Sequence, residues 1–336
     1  METRITSELA KHIYYYGDNE SQHNLTRYVW ERLGGTLFTQ PELSDVTFSD
    51  PAEPQFLLAA SFLLLPARKG LVRVQIGHGT SDKPIFRLQD HWIYDAYEHY
   101  IMSGPKDGWL YNKYQHALYA PHNRVFKSGL LRSDFIINNT WSREEVLNEL
   151  GLTIPKKREV VLVCFTFNSG SLEYYLPMLK RLTKKYFVIV KMHDREFFRT
   201  SIPIKNLVWL RNPYYEPVKL FSIADYYLGD GSSLDQDWVF TDKPMVLCRP
   251  YKNPSIDVPY EYDIRNTTLW YENPQDMHEL LQIAKDPKYS RERKAYREKC
   301  FYYNDGHALD RICEFVEQQA KKMVESEPRP KLTRVK

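Results

Sequence analysis

The chain has 336 residues, 43% of them hydrophobic, with 46 basic side chains against 43 acidic ones and a formal net charge of +3. Such a length suits two domains, each with its own core, and so even a charge balance excludes a nucleic-acid binder that works by bulk electrostatics, leaving any anion recognition to local clusters. Cys164, Cys248, Cys300 and Cys313 lie far apart with no CxxC pair, which points to neither a zinc site nor a disulfide framework and fits a reducing cytoplasm.

The N-terminal stretch "METRITSELAKHIYYYGDNE" lacks the basic start and apolar core of a signal peptide. The longest apolar run, Phe56 to Ala67, is interrupted by Pro66 and followed by Arg68 and Lys69. It falls well short of the ~20 residues that span a bilayer and reads as a buried segment. Strands follow at Leu71 to Ile76, His99 to Ser103 and Asn123 to Gly129. A helix over "WSREEVLNELG" closes this half, with Ser142 as N-cap, Glu145 at the capping-box position and Gly151 at its end.

After the linker "LTIPKKRE" the pattern restarts with Glu159 to Phe167, an almost unbroken apolar run of the kind buried on both faces of a sheet. A helix from Ser171, strands "YFVIVKMH" and "NLVWL", a helix "EPVKLFSIAD", a strand "YYLGD", a helix from about Ser232 and a strand "KPMVLC" complete a doubly wound sheet. The helix "NPQDMHELLQIAKD", a long helix from about Asp305 and the basic tail "EPRPKLTRVK" end the chain. Two open parallel sheets in tandem collect ligands beyond the carboxyl ends of their strands, and the polar clusters fall at those ends.

Four clusters carry the candidate chemistry. In "VQIGHGTSDKP", His78 sits between Gly77 and Gly79 directly after a strand. A neutral imidazole there suits a general base, or is simply a histidine in a tight turn. In "VIVKMHDREF", alternation along an extended segment points Lys191, His193 and Arg195 the same way. They could grip a diphosphate, or form an ordinary solvated strand end. In "LGDGSSLDQDWVF", Ser232 and Ser233 open a helix, whose amides and hydroxyls suit a phosphate, while Asp230 and Asp237 frame them. A simple N-cap would explain one serine. Neither GxGxxG nor a P-loop is present. "FYYNDGHALDRI" places Asp305 and Gly306 before a helix.

Taken in order, these clusters resemble the CDP-glycerol glycerophosphotransferase family, which builds teichoic acids and related phosphate-containing polymers of the bacterial wall or capsule. "GHGT", with Thr80 and then Lys83, is similar to its Trp-His-Gly-Thr segment, with Gly77 where tryptophan is usual. "SGLLRSD", carrying Arg132, resembles Gly-x-Pro-Arg-x-Asp with Leu131 in place of proline, and "KMHD" resembles Lys-x-His-Pro without the proline. "DGSSLDQD" is similar to Asp-Tyr-Ser-Ser followed by Asp, here Asp237, and "NDGHALDRI" to the closing Asp-Gly-x-Ala-x-x-Arg-Ile.

The resemblance implies an α/β chain of GT-B architecture, with two Rossmann-like domains facing a central cleft. Residues 1–152 are expected on the acceptor side, 153–325 on the nucleotide-donor side and 326–336 as a basic tail. It implies transfer of a polyol phosphate, glycerol phosphate first, from a CDP-activated donor to a hydroxyl of a surface-polymer or lipid-linked acceptor, with release of CMP. His78 is then the base, and His193, Arg195 and the amides of Ser232 and Ser233 stabilise the leaving group, with Lys191, Asp230 and Asp237 completing the donor site. Gly77, Gly79, Thr80, Lys83, Arg132, Asp305 and Gly306 are expected elsewhere in the cleft. No cofactor or tightly bound metal is expected, which leaves room for a loosely held Mg2+ ion. The protein is expected in the cytoplasm at the inner face of the membrane, its basic tail giving weak, salt-sensitive attachment to anionic lipid at about 1 kcal/mol per basic residue. Two other readings compete. One is a GT-B glycosyltransferase or nucleotide-sugar epimerase, with Glu216, Asp230 and Asp237 as acidic contacts, and the other is a non-catalytic scaffold.

Overall fold

The computed structural model describes residues 7–17, 20–38, 54–60, 70–77, 97–114, 125–166, 170–193, 202–212, 215–249, 258–272 and 276–326. These build two six-stranded sheets, parallel throughout. The first contains β1 (Ile13–Tyr16), β2 (Thr36–Phe38), β3 (Gln55–Ala59), β4 (Leu71–Gln75), β5 (His99–Met102) and β6 (Val125–Lys127), in the order β2-β1-β3-β4-β5-β6. The second contains β7 (Val160–Cys164), β8 (Phe187–Lys191), β9 (Leu207–Leu210), β10 (Tyr226–Gly229), β11 (Met245–Cys248) and β12 (Leu269–Tyr271), in the order β12-β11-β10-β7-β8-β9. Strand order in this second sheet reverses between β7 and β10, and the crevice at such a reversal is where doubly wound sheets receive ligands.

Alternation along each strand divides the core into layers. Val160, Leu162 and Cys164 face one layer together with Ile189, Tyr227 and Trp238. Val161, Val163 and Phe165 face the other, with Val188, Leu228 and Val246. In the first sheet Phe56 and Leu58 face one layer and Leu57 and Ala59 the opposite one. Phe56 to Ala60 thus lies buried in a strand and the residue after it, as the apolar run implied, while Ser61–Lys69 lie outside the described residues.

Helices α1 (Ser7–Ala10), α2 (Glu20–Leu33) and α3 (Pro105–Tyr114) belong to the first half. The chain leaves it through α4 (Leu131–Ile137) and α5 (Arg143–Glu149). The expected capping box starts α5: Glu145 N donates to Ser142 Oγ at 3.2 Å and Ser142 N to Glu145 Oε2 at 2.8 Å. Leu130 and Val146 pack into the second sheet's core, so these linking helices serve both halves. The second half adds α6 (Ser171–Leu182), α7 (Leu220–Ile223), α8 (Ser233–Trp238), α9 (Met277–Ile283) and α10 (Pro287–Cys300).

The last helix, α11 (Ala308–Ser326), crosses back. Its Leu309, Ile312, Cys313, Phe315, Val316, Ala320 and Met323 join Ile13, Leu25, Val29 and Leu58 in the first sheet's core. By sequence order this segment is expected with the donor-side half, residues 153–325. Its apolar stripe, repeating at three and four residues, has its mate on the other sheet.

Candidate active site

The loop from β10 into α8 lies at the switch point of the second sheet, and its acids are held by the protein. Asp230 is fully buried, and its Oδ1 accepts the Thr166 amide at 2.8 Å, tying the end of β10 to the end of β7. Asp235, which the sequence did not single out, accepts the Tyr227 hydroxyl at 2.7 Å on Oδ1 and the Gly231 amide at 2.7 Å on Oδ2. A Cβ at Gly229 would stand 2.0 Å from that carboxylate, so only glycine lets it reach the strand.

Ser232 is the N-cap of α8 and accepts the Leu234 amide at 3.3 Å. Ser233 follows as the first helical residue, and both serines are half-buried. The charges are turned inward, while the two serine amides and the Ser233 hydroxyl are left without acceptors among the described residues. Such donors at the carboxyl end of a strand favour an anion.

Asp230 and Asp237 were expected to touch the donor. Both are buried and face protein partners. Asp237 is 2% exposed, and its Oδ2 lies 3.7 Å from Arg132 Nη1. Burial pushes its carboxyl up to about 7, with Arg132 pulling it down and Glu216 adding to the rise. Arg132, expected to line the cleft, is 3% exposed and also pairs through Nε with Glu216 Oε1 at 3.1 Å.

Lys191 ends β8 and is buried. It shares strand parity with Phe187 and Ile189, which place it on the sheet face that carries α8. The positive charge of Lys191 draws down the Cys164 thiol, although burial, the larger effect, raises that thiol far above its ordinary range. His193, half-buried, lies two residues past the strand. In the first sheet Gly77 turns the chain out of β4 at a φ of +67°. His78, Gly79, Thr80, Lys83 and Arg195 lie outside the described residues.

Asp305 and Gly306 stand at the return crossing. Asp305 pairs with Arg311 and accepts the His307 amide at 3.2 Å. Burial alone would raise its carboxyl, but those bonds hold it below the usual range. Asp134, in the same "SGLLRSD" stretch as Arg132, accepts the amides of Ala308 at 3.0 Å and Leu309 at 2.7 Å. The motif segments 128–134 and 305–311 therefore join each other, a pairing across 174 and 175 residues that local pattern does not reveal. Among the described residues no group of three or more His, Cys, Asp or Glu side chains could hold a metal ion.

A family model described as CDP-Glycerol:Poly(glycerophosphate) glycerophosphotransferase matches residues 75–318. The chain belongs to that family. A search of curated protein sequences returns no match. Among solved structures, the wall teichoic acid polymerase TagF is similar at 15% identity, with a TM-score of 0.68 over 94% of this chain and 90% of that one. The S. aureus MnaA–UDP co-structure follows at 11% identity and a TM-score of 0.57, over 94% and 98% of the two chains. WaaG, a glycosyltransferase involved in lipopolysaccharide biosynthesis, follows at 12% identity and a TM-score of 0.51, over 90% and 99%.

These neighbours share the GT-B architecture of two Rossmann-like sheets, and the present chain has that fold. As a member of the glycerophosphotransferase family it is a transferase that moves a polyol phosphate from a CDP-activated donor. The glycosyltransferase, epimerase and scaffold alternatives are not favoured.

Proposed function

We propose that this transferase takes glycerol phosphate from CDP-glycerol and passes it to a hydroxyl of a surface-polymer or lipid-linked acceptor. TagF has been soaked with CDPG, and a CDP-linked polyol is the donor we assign here. The observation that carries the placement is the β10–α8 loop, where the amides of Ser232 and Ser233 and the Ser233 hydroxyl stand unspent at the switch point.

In the reaction, His78 removes the proton of the acceptor hydroxyl. The resulting oxygen attacks the phosphorus that carries the polyol, and the bond from that phosphorus to the bridging oxygen of CMP breaks as the new one forms. The electron pair leaves on CMP. Lys191, His193 and Arg195 supply positive charge or protons to it, and the serine donors bind its phosphate. Asp230 and Asp235 shape the loop and do not touch the donor.

Among the described residues no helix is long and apolar enough to cross a membrane. We assign the basic tail, Arg329, Lys331, Arg334 and Lys336, to reversible contact with anionic lipid at the inner face of the cytoplasmic membrane. Pelleting with anionic vesicles at low salt and release at high salt is the expected result, and loss of salt dependence overturns it.

The deciding assay incubates the protein and its acceptor with CDP-glycerol, CDP-ribitol and nucleotide sugars and identifies the nucleotide released. CMP from CDP-glycerol is expected; a nucleoside diphosphate from a sugar donor overturns the reading. His78→Ala should lower transfer by about a hundredfold or more with donor affinity nearly unchanged. Equal loss of affinity and turnover would make His78 a structural residue.

A further inference from the structure

Two consecutive residues of α8, Gln236 and Asp237, are each 2% exposed, and each ends a chain of buried polar groups that begins in the first half of the molecule. In one chain Lys106 of α3, fully buried, donates from Nζ to the Tyr296 hydroxyl at 2.9 Å. That hydroxyl donates to Gln236 Oε1 at 2.5 Å. In the other, the Tyr28 hydroxyl of α2 donates to Glu216 Oε2 at 3.1 Å. Arg132 Nε stands 3.1 Å from Glu216 Oε1, and Arg132 Nη1 stands 3.7 Å from Asp237 Oδ2.

Buried charges and amides are a poor way to gain stability, because desolvation consumes most of what their pairing returns. Apolar side chains of the same volume would hold α8 against its neighbours at least as strongly. What polar pairs add is placement: the hydrogen bonds of the first chain fix distance and angle where apolar contact slides, and in the second the Arg132 guanidinium holds two carboxylates near itself by charge. Both chains converge on the helix whose N-cap and first residue present the unspent amides, three to five residues ahead of Gln236 and Asp237, about one helical turn.

We propose that Gln236 and Asp237 are positioning residues through which the first half of the molecule sets the placement of Ser232 and Ser233. The proposal rests on the donor-site reading of those serines. The polar chains transmit any shift of α2 or α3 into the loop. Donor affinity is thereby tied to the posture of the acceptor-side half.

The test is a pair of mutant cycles read by calorimetric affinity for CDP-glycerol and by kcat and KM. Tyr296→Phe removes one hydroxyl from the first chain and keeps the ring that packs against Phe301. It should weaken donor binding about fivefold, the loss of roughly one net hydrogen bond, with kcat changed less than KM. Lys106→Met should give a similar loss and add little to Tyr296→Phe. Introduced into a Ser232→Ala/Ser233→Ala background, which removes the Ser233 hydroxyl and the Ser232 cap but keeps the two amides, Tyr296→Phe should change donor affinity by clearly less than about fivefold. An undiminished fivefold loss in that background overturns the positioning role while leaving the donor site intact. Unchanged nucleotide affinity in the double serine variant itself overturns the donor-site reading, and the positioning role with it. Asp237→Asn, measured in the same two backgrounds, should repeat the pattern for the second chain, and additive losses there count against it equally.

Discussion

Arg132 and Asp134 sit two residues apart on one turn of α4 and fasten two different helices by different means. Asp134 grips the start of α11 with two bonds to backbone amides, at 3.0 and 2.7 Å. The same crossing is reinforced by Arg311 Nη1 donating to Ser128 O at 3.0 Å and Asn138 Nδ2 to Gly306 O at 2.9 Å. Arg132 reaches α8 through a side-chain ion pair at 3.7 Å, beside a closer one to Glu216 at 3.1 Å. Amides at a helix start are fixed donors carrying the positive end of the helix dipole, so a carboxylate there gains strength. A guanidinium facing two buried carboxylates gains little net energy and acts on geometry. One joint is a clasp, and the other is an adjustment.

That contrast is broken most directly at Asp134. Asp134→Ala strips two buried amides of their acceptor and should cost about 2 kcal/mol or more, from the lost cap and the unsatisfied donors. Transfer by the remaining folded protein should hold near its normal rate. Urea unfolding and specific activity on one preparation check this, and a stability unchanged within ~0.5 kcal/mol would reduce the clasp to an incidental contact.

A smaller loss should follow Gly306→Ala. Gly306 has a φ of +77°, and a Cβ there would stand 2.7 Å from Asn138 Oδ1. The left-handed backbone and the displaced Asn138 should together cost about 1–2 kcal/mol, again in melting temperature and not in donor KM. A KM effect exceeding the stability effect would mean that the crossing also shapes the donor site.

The adjustment should show itself in pH dependence. Asp237 is raised to about 7, chiefly by burial, with Arg132 opposing and Glu216 reinforcing, and Tyr28 closes the cluster through Glu216. A carboxyl raised in the folded state binds more protons there than in the unfolded chain, so its contribution to stability declines as pH rises from about 4 to about 7. Asp237→Asn removes that titration. The melting-temperature difference, wild type minus variant, should therefore shrink or change sign between pH 5 and pH 7.5. A constant difference would place the Asp237 titration outside that window.

Much of this molecule was legible where strands are buried on both faces. Val160–Cys164, Phe187–Lys191 and Met245–Cys248 are nearly pure apolar runs, and each was read close to its true bounds. The first sixty residues were not so read, because β1 is "IYYY" and β2 only "TLF". Helix α10 hid its periodicity for another reason: the residues it buries are Arg293, Tyr296 and Cys300. At the candidate site, a serine N-cap can be read from neighbours in sequence, and Ser232 was. The partnership of Lys106 with Tyr296 spans 190 residues and that of Tyr28 with Glu216 spans 188. Local pattern has no access to such pairs, so the burial of Asp237 beside Arg132 could not be read from the sequence.

The return of α11 to the first sheet also constrains the order of events as the chain emerges from the ribosome. Phe56, Leu58 and Val29 have their cover only when Leu309 to Met323 has been made. Until then one face of the first sheet is open to water and to other chains. The second sheet's core, built by strands and flanking helices from Val160 to Cys300 with α4 and α5 borrowed from upstream, meets no such delay. The half synthesised first is thus the half completed last. A chain cut before Ala308 should yield a protein that binds a hydrophobic dye and aggregates, its second sheet formed and its first unfinished.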